Sequence, residues 1–343
     1  MAGPGNQTTY LNTVTLPEFT DLVEKEFSMV SGMVEPMASQ LFISADLTSH
    51  TGDTKRFDEV DVETFASNMS EGADAAKASA GVGYNVTMEA VRRAKEIDIS
   101  WKMRRYNKYQ EVGTKLTSLN HFCPQRANLD LTHRFTFATS TSYTDMDGLS
   151  VDVSTGDSLS LCNAAHTLAF SATTYRNRVN GDPVFSQGAL EAAELLGTSD
   201  IYSNFGEKRV MMFNTIITSD DPGTCRDVRQ VLESTADVDA AHEGVLNTYR
   251  GKYRHVELAY LPTTATGARD NTKRQWWFLA ATGMGTDGWQ AYYGIFESPN
   301  LKVPAPGNNG EDIHNDNWTY GARMSYGIVA LSGRGIIGSF PTS

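Results

Sequence analysis

Two glycine-rich stretches are the most suggestive chemistry in this 343-residue chain. Gly283-Met284-Gly285-Thr286-Asp287-Gly288 and Gly333-Arg334-Gly335-Ile336-Ile337-Gly338 both fit G-x-G-x-x-G, in which glycines let a pyrophosphate approach a helix N-terminus. That chemistry needs a strand before the motif, a helix after it and an acidic ribose ligand about 20 residues on. The first stretch precedes residues 289–296, which read as strand, and the second lies at the end of the sequence. Both are expected to be turns. The seven histidines are scattered without an HExxH, and the three cysteines, Cys123, Cys162 and Cys225, form no CxxC pair. Neither a metal site nor a disulfide framework is expected. Asp145-Met146-Asp147-Gly148 has the wrong order for a calcium loop and reads as a turn. No GxSxG marks a serine nucleophile, Cys162 and His166 have a spacing that is more often structural, and Asp220-Asp221 before Pro222 is explained by a helix dipole. The expectation is no enzyme: no catalytic residue, no cofactor and no metal ligand.

Composition narrows the alternatives. Asp and Glu outnumber Lys and Arg by 41 to 29, which argues against a sequence-independent grip on nucleic acid through the whole surface. No window approaches the ~18 consecutive apolar residues of a membrane span, and the first residues lack the charged-then-apolar order of a signal peptide, so no membrane partner is expected. The cysteine usage suits a reducing cytoplasm.

The elements come next. Residues 101–138 carry Tyr109, Val112, Leu116, Leu119, Cys123, Ala127, Leu131, Phe135 and Ala138 at intervals of three and four, which predicts one long helix, kinked at Pro124. Residues 1–14 read as a flexible lead. Thr15-Leu16-Pro17-Glu18 then resembles a capping box that opens an amphipathic helix with Phe19, Val23 and Phe27 on one face. That face is expected either to pack on another subunit or to dock on its own domain. From residue 43 the chain is acidic, passes a small-residue tip containing Glu71, Asp74 and Lys77, and returns as a strand-like arm. In that arm Tyr84, Val86 and Met88 alternate, and Ile97, Ile99, Trp101 and Met103 alternate on the opposite parity, predicting a bulge or bend between them. Further along, helices are predicted over 187–197 and 222–234, and strands over 210–218, 247–262 and 275–281. The last sixty residues alternate strands with turns.

This order of a tip-bearing hairpin, a strut helix, a compact α/β unit and a strand-rich end resembles the major capsid subunit of tailed phages. The residues that carry the resemblance are AKEIDISWKMRRYNKY at the strut entry, NTYRGKYRHVELAYLP with QWWFLAA, and ESPNLKVPAP with WTYGARMSYGIVALSGRGIIGS. The last two are similar to segments of Mu-like major head subunits. The resemblance implies an α+β, Hong Kong 97-like capsid fold. Its parts would be an N-terminal arm (1–43), an extended β-hairpin loop (44–102), a peripheral domain with a spine helix (103–180), a mixed α/β axial domain (181–282), peripheral strands (283–327) and a C-terminal return (328–343). It implies a structural protein that forms hexamers and pentamers and closes into an icosahedral shell around double-stranded DNA, located in the virion and assembled in the host cytoplasm. Scaffolding, portal and decoration proteins would be its other partners. An encapsulin-like compartment and, on the glycine motifs alone, an α/β oxidoreductase are the alternatives.

Interface residues are expected among Phe19, Val23 and Phe27, in the tip at Glu71, Asp74 and Lys77, and at Arg92, Arg93, Arg104 and Arg105. The basis for the arginines is charge: residues 43–83 hold eight acidic and three basic side chains, residues 84–108 seven basic and three acidic. Either the acidic and basic segments meet between chains, or the two arms of one hairpin pair with each other.

Overall fold

The computed structural model describes residues 16–31, 37–72, 74–236, 246–285, 288–304 and 316–342. The expected flexible lead and Thr15 of the capping box lie outside the described residues. Helix α1 (Leu16–Ser31) buries Phe19, Val23 and Phe27. A 3-10 turn leads into β1 (Ile43–Asp46), and the chain then runs out along β2 (Thr54–Val62) and back along the antiparallel β3 (Ala80–Glu89). The expected parity change falls at Ala90, which divides the returning arm and whose N–H donates to Asp53 O at 2.8 Å; a separate register shift, from Asp58↔Asn85 to Val60↔Val82, gives the returning strand one extra residue. Beyond that division β4 (Val91–Ile99) leaves the hairpin to join a sheet.

The helix expected over residues 101–138 is two helices. Ser100 caps α2 (Trp101–Arg105), so Trp101 and Met103 are helical and do not extend the strand alternation. Asn107 then adopts a left-handed conformation (φ 52°), which asparagine tolerates better than most residues, and α3 (Tyr109–Thr136) begins. Its 28 residues span about 42 Å at ~1.5 Å per residue. The break falls where the apolar stripe starts. From Val112 to Ala138 every stripe position is buried, and Pro124 lies within the helix without ending it.

Two small hairpins follow, β5 (Ser142–Thr144) with β6 (Ser150–Asp152) and β7 (His166–Thr167) with β8 (Thr174–Tyr175). Then come α4 (Gln187–Ser199), β9 (Thr215–Ser219), α5 (Pro222–Glu233), β10 (Arg254–Leu258) and β11 (Trp277–Ala280). The chain closes with β12 (Ala291–Lys302), β13 (Trp318–Ala330) and β14 (Ile336–Ser339). The strands expected over 210–218 and 247–262 shrink to β9 and β10. Val210 and Met212 face solvent, and the Asn247 side chain donates to Val231 O and Ser234 O, closing a turn where a ladder was expected.

Two four-stranded sheets carry the fold. The first, β1-β12-β13-β4, is antiparallel except at its parallel β1/β12 edge, and α3 packs on it. In the second, β10-β9-β11-β14, α5 is the crossover between the parallel strands β9 and β10, while β11 runs antiparallel to both its neighbours. Strands β9, β11 and β14 of this second sheet are buried on both faces, while the edge strand β10 leaves Arg254 exposed and His255 and Glu257 part-buried. Phe278 and Ala280 enter the core shared with α3, where Phe278 meets Phe135 at 5.5 Å between ring centroids, and Trp277 and Leu279 enter the core under α4 and α5.

Candidate functional site

The β2–β3 hairpin is the most exposed of the sheet elements among the described residues. Period-two alternation gives the hairpin two faces. Inward, Phe57 stacks on Tyr292 (4.2 Å, 16° between planes), the Tyr84 hydroxyl meets Thr167 Oγ1 at 2.8 Å, and Asp61 accepts from the Asn204 N–H at 2.8 Å. Beside the register shift, Glu59 forms an ion pair with Arg334, both side chains almost wholly buried at 4% and 3% exposed. Arg334 also donates to Asn204 Oδ1 at 2.7 Å and lies over the Tyr175 ring. Outward, Val60 and its cross-strand partner Val82 are 69% and 55% exposed, and Phe65 and Met69 beyond them are exposed as well. Glu71, Asp74 and Lys77 are exposed in the tip segment.

The other expected interface residues divide sharply. Phe19, Val23 and Phe27 are buried within their own chain, Phe19 against Trp318 and Tyr320 (centroids 5.6 and 5.9 Å). Of the two placements expected for α1, docking on its own domain is the one observed, because β13 supplies an aromatic surface that the sequence order hid. Arg104 lies over the Trp318 ring at 4.2 Å and donates to Asp316 O, so it is a packing residue of its own chain. Arg93 joins an internal cluster. Its guanidinium lies 3.3 Å from Asp130 and 3.1 Å from Asp145, Arg126 reaches the same two carboxylates at 3.0 and 2.9 Å, and the Tyr326 hydroxyl donates to Asp130 at 2.7 Å. Burial works to lower the Arg93 pKa, but the surrounding carboxylates outweigh it and hold the guanidinium firmly charged. Arg92 and Arg105 remain exposed. Pairing between the two charged segments within one hairpin is also overturned: β4, which carries Arg92 and Arg93, is hydrogen-bonded to β13 and lies away from β2.

The glycine motifs are structural. In the first, Gly283 and Gly285 take positive φ, residues 286–287 lie outside the described residues and β12 follows; the second runs from a turn into β14. No helix follows either, so the dinucleotide-binding alternative loses its basis. Gly335 is needed for close approach, since a Cβ there would lie 2.2 Å from Trp289 N. Asp145 likewise closes a turn, its Oδ1 accepting from Asp147 and Leu149 N–H groups at 2.9 and 3.0 Å. His166 turns to Asp157 (2.7 Å), giving Cys162 no base.

One grouping arises that the sequence did not suggest. Cys225 on α5 and His255 and Glu257 on β10 bring their ligand-type atoms within 4.8 Å of one another. No spacing rule could have found them, because the crossover connection sets their proximity. The Glu59–Arg334 pair was hidden because its members lie 275 residues apart in the chain.

No protein-family model matches the sequence, and no curated protein is similar to it. Solved structures do match. The capsid of cyanophage Pam1 aligns over 88% of this chain and 88% of its own, at 14% identity and a TM-score of 0.51. The capsid of cyanophage P-SCSP1u aligns over 88% and 86%, at 10% identity and 0.51. A structure from Mycobacterium phage Bobi aligns over 100% of this chain and 95% of its own, at 11% identity and 0.51. Identity this low speaks for architecture, and the architecture is the Hong Kong 97-like capsid fold, a mixed α+β arrangement.

Proposed function

We propose that this chain is a major capsid subunit of a tailed phage, of the Mu-like kind, which assembles as hexamers and pentamers into an icosahedral shell around double-stranded DNA. The observation that carries this reading is the fold together with a hairpin whose outward face leaves Val60, Val82, Phe65 and Met69 uncovered. The hairpin's inward face is anchored on its own chain, and its exposed apolar outward face is one that a neighbouring subunit would cover. The acidic composition fits a container, because a basic lining would hold packaged DNA through released counterions. Glu71, Asp74, Lys77, Arg92 and Arg105 then remain as contacts between subunits, and scaffolding, portal and decoration proteins as further partners, with assembly in the host cytoplasm and residence in the virion.

The test is negative-stain imaging and sedimentation of the purified protein, alone and co-expressed with its genomic neighbours. Closed particles or rings of five or six subunits are expected, and a compact monomer under every condition would refute the reading. Particles purified from infected cells should contain DNA; protein cargo without nucleic acid would place the chain with the encapsulin-like compartments.

A further inference from the structure

The Cys225, His255 and Glu257 grouping sits at the edge of the second sheet, where α5 crosses over β10. His255 and Glu257 are two apart on one strand, so both side chains point to the same face, and Cys225 comes down onto them from the first turns of the helix. The local hydrogen bonds fix the imidazole. Thr218 Oγ1 lies 3.0 Å from Ser219 O, 2.8 Å from His255 Nε2 and 3.7 Å from Cys225 Sγ, so Nδ1 is the ring nitrogen on the Glu257 side, with Glu257 Oε1 3.8 Å away. The Cys225 thiol is parked on Ser219 O at 3.2 Å. Ligand atoms on one tetrahedral zinc ion stand about 3.3–3.8 Å apart, from bonds of about 2.0–2.3 Å. In the structure the three ligand-type atoms lie within 4.8 Å of one another, His255 Nδ1 and Glu257 Oε1 at 3.8 Å.

We propose that Cys225, His255 and Glu257 form a binding site for one divalent cation of the zinc type, held by the thiolate, imidazole Nδ1 and carboxylate with water in the fourth position. The donor set selects the metal. Thiolate and imidazole favour zinc over magnesium or calcium, and the two anionic ligands neutralise its charge. Thr218 orients the imidazole from behind, as the outer partners of ligating histidines do. An open cleft of about 740 Å³ reaches Cys225 and Glu257 from solvent and leaves room for the water; Asp220, Glu233, Arg226 and Arg229 line it as well, two acidic and two basic. Arg229 pairs with Glu257, but its side chain is 58% exposed and free to turn away, and a carboxylate has lone pairs for both partners. Binding exchanges the Cys225 thiol proton for the metal and delivers that proton to solvent. The cation would pin the crossover helix to the edge strand of its own unit, a role independent of the capsid reading.

Cobalt is the probe. One equivalent of Co²⁺ added to the purified full-length chain should produce a thiolate-to-metal charge-transfer band and the visible bands of a tetrahedral ion, both removed by Zn²⁺. Cys225→Ser should abolish the charge-transfer band, while the Cys123→Ser/Cys162→Ser double variant should keep it. Thr218→Val, which touches no metal, should weaken affinity by about 10–100-fold. In the parent chain, one proton should be released per Zn²⁺ bound at neutral pH. Absence of a thiolate band or of proton release in the parent, or a band that survives in Cys225→Ser, would overturn the assignment.

Discussion

Arg334 shows how one residue can anchor a long excursion. It lies between two glycines, and only a chain without side chains on either side could bring it so far inside. Its partner Glu59 is the buried residue at the hairpin's register shift, so the pair ties the hairpin to the C-terminal segment. Removing one member of a buried pair leaves the other charge uncompensated. Glu59→Ala should therefore destabilise the chain by about 3–5 kcal/mol, and Glu59→Ala combined with Arg334→Met should recover much of that loss. Urea denaturation of the parent, Glu59→Ala, Arg334→Met and the double variant checks it, and losses that simply add would show that the pair is not coupled.

His133 gives a second prediction at the same scale. Burial, partly offset by Asp130, pushes its pKa from 6.5 down to about 4. The folded state thus refuses a proton that the unfolded state accepts between those pH values, so stability falls as the pH drops through this window. The expected loss is at most about 3 kcal/mol at ~1.4 kcal/mol per unit. His133→Gln should flatten the slope of the urea midpoint against pH over that interval, and an unchanged slope would assign the effect to other groups such as His255.

Among the elements, α3 is the one to which the most distant segments attach. Its stripe receives α1, the first sheet and, through Phe135, the second sheet. Leu119 is fully buried near its middle, so Leu119→Ala should cost about 2–5 kcal/mol and lower the midpoint for the whole chain. The hairpin behaves in the opposite way. The described residues of its tip, 71–72 and 74–79, are all exposed, so excising the tip should leave the unfolding midpoint nearly unchanged while preventing particle formation. Circular dichroism melts alongside light scattering separate the two effects, and a tip-deleted chain that unfolds early would make the tip part of the core.

The whole molecule carries a formal charge of −12, yet its copies must meet edge to edge if they form a shell. Local basic residues on the surface then decide register. Arg92 and Arg105 are exposed, whereas Arg93 and Arg104 are engaged in their own chain. Arg92→Glu/Arg105→Glu should fold normally but assemble poorly at low salt, with the difference from the parent narrowing as the Debye length shrinks to about 3 Å at 1 M. Each exposed pair is worth only about 0–1 kcal/mol, and repetition in every subunit makes the sum matter. Assembly equal to the parent's at low salt would remove these two residues from the contact.

What the sequence by itself determined was whatever rests on local period and local chemistry. The stripe from Val112 to Ala138 marked the long helix α3 because side chains three and four apart share a face whatever they pack against. Pro222 and the glycine turns were legible for the same reason, since φ is restricted residue by residue. The order of the elements was also enough to point to the capsid fold. The tertiary structure alone decided which faces meet. It placed α1 against Trp318, Arg104 over the same ring, Glu59 on Arg334, and Cys225 beside His255 and Glu257. These contacts join segments brought together by strand pairing and crossover geometry, and no short-range pattern in a chain encodes a partner that only the folded sheets make adjacent.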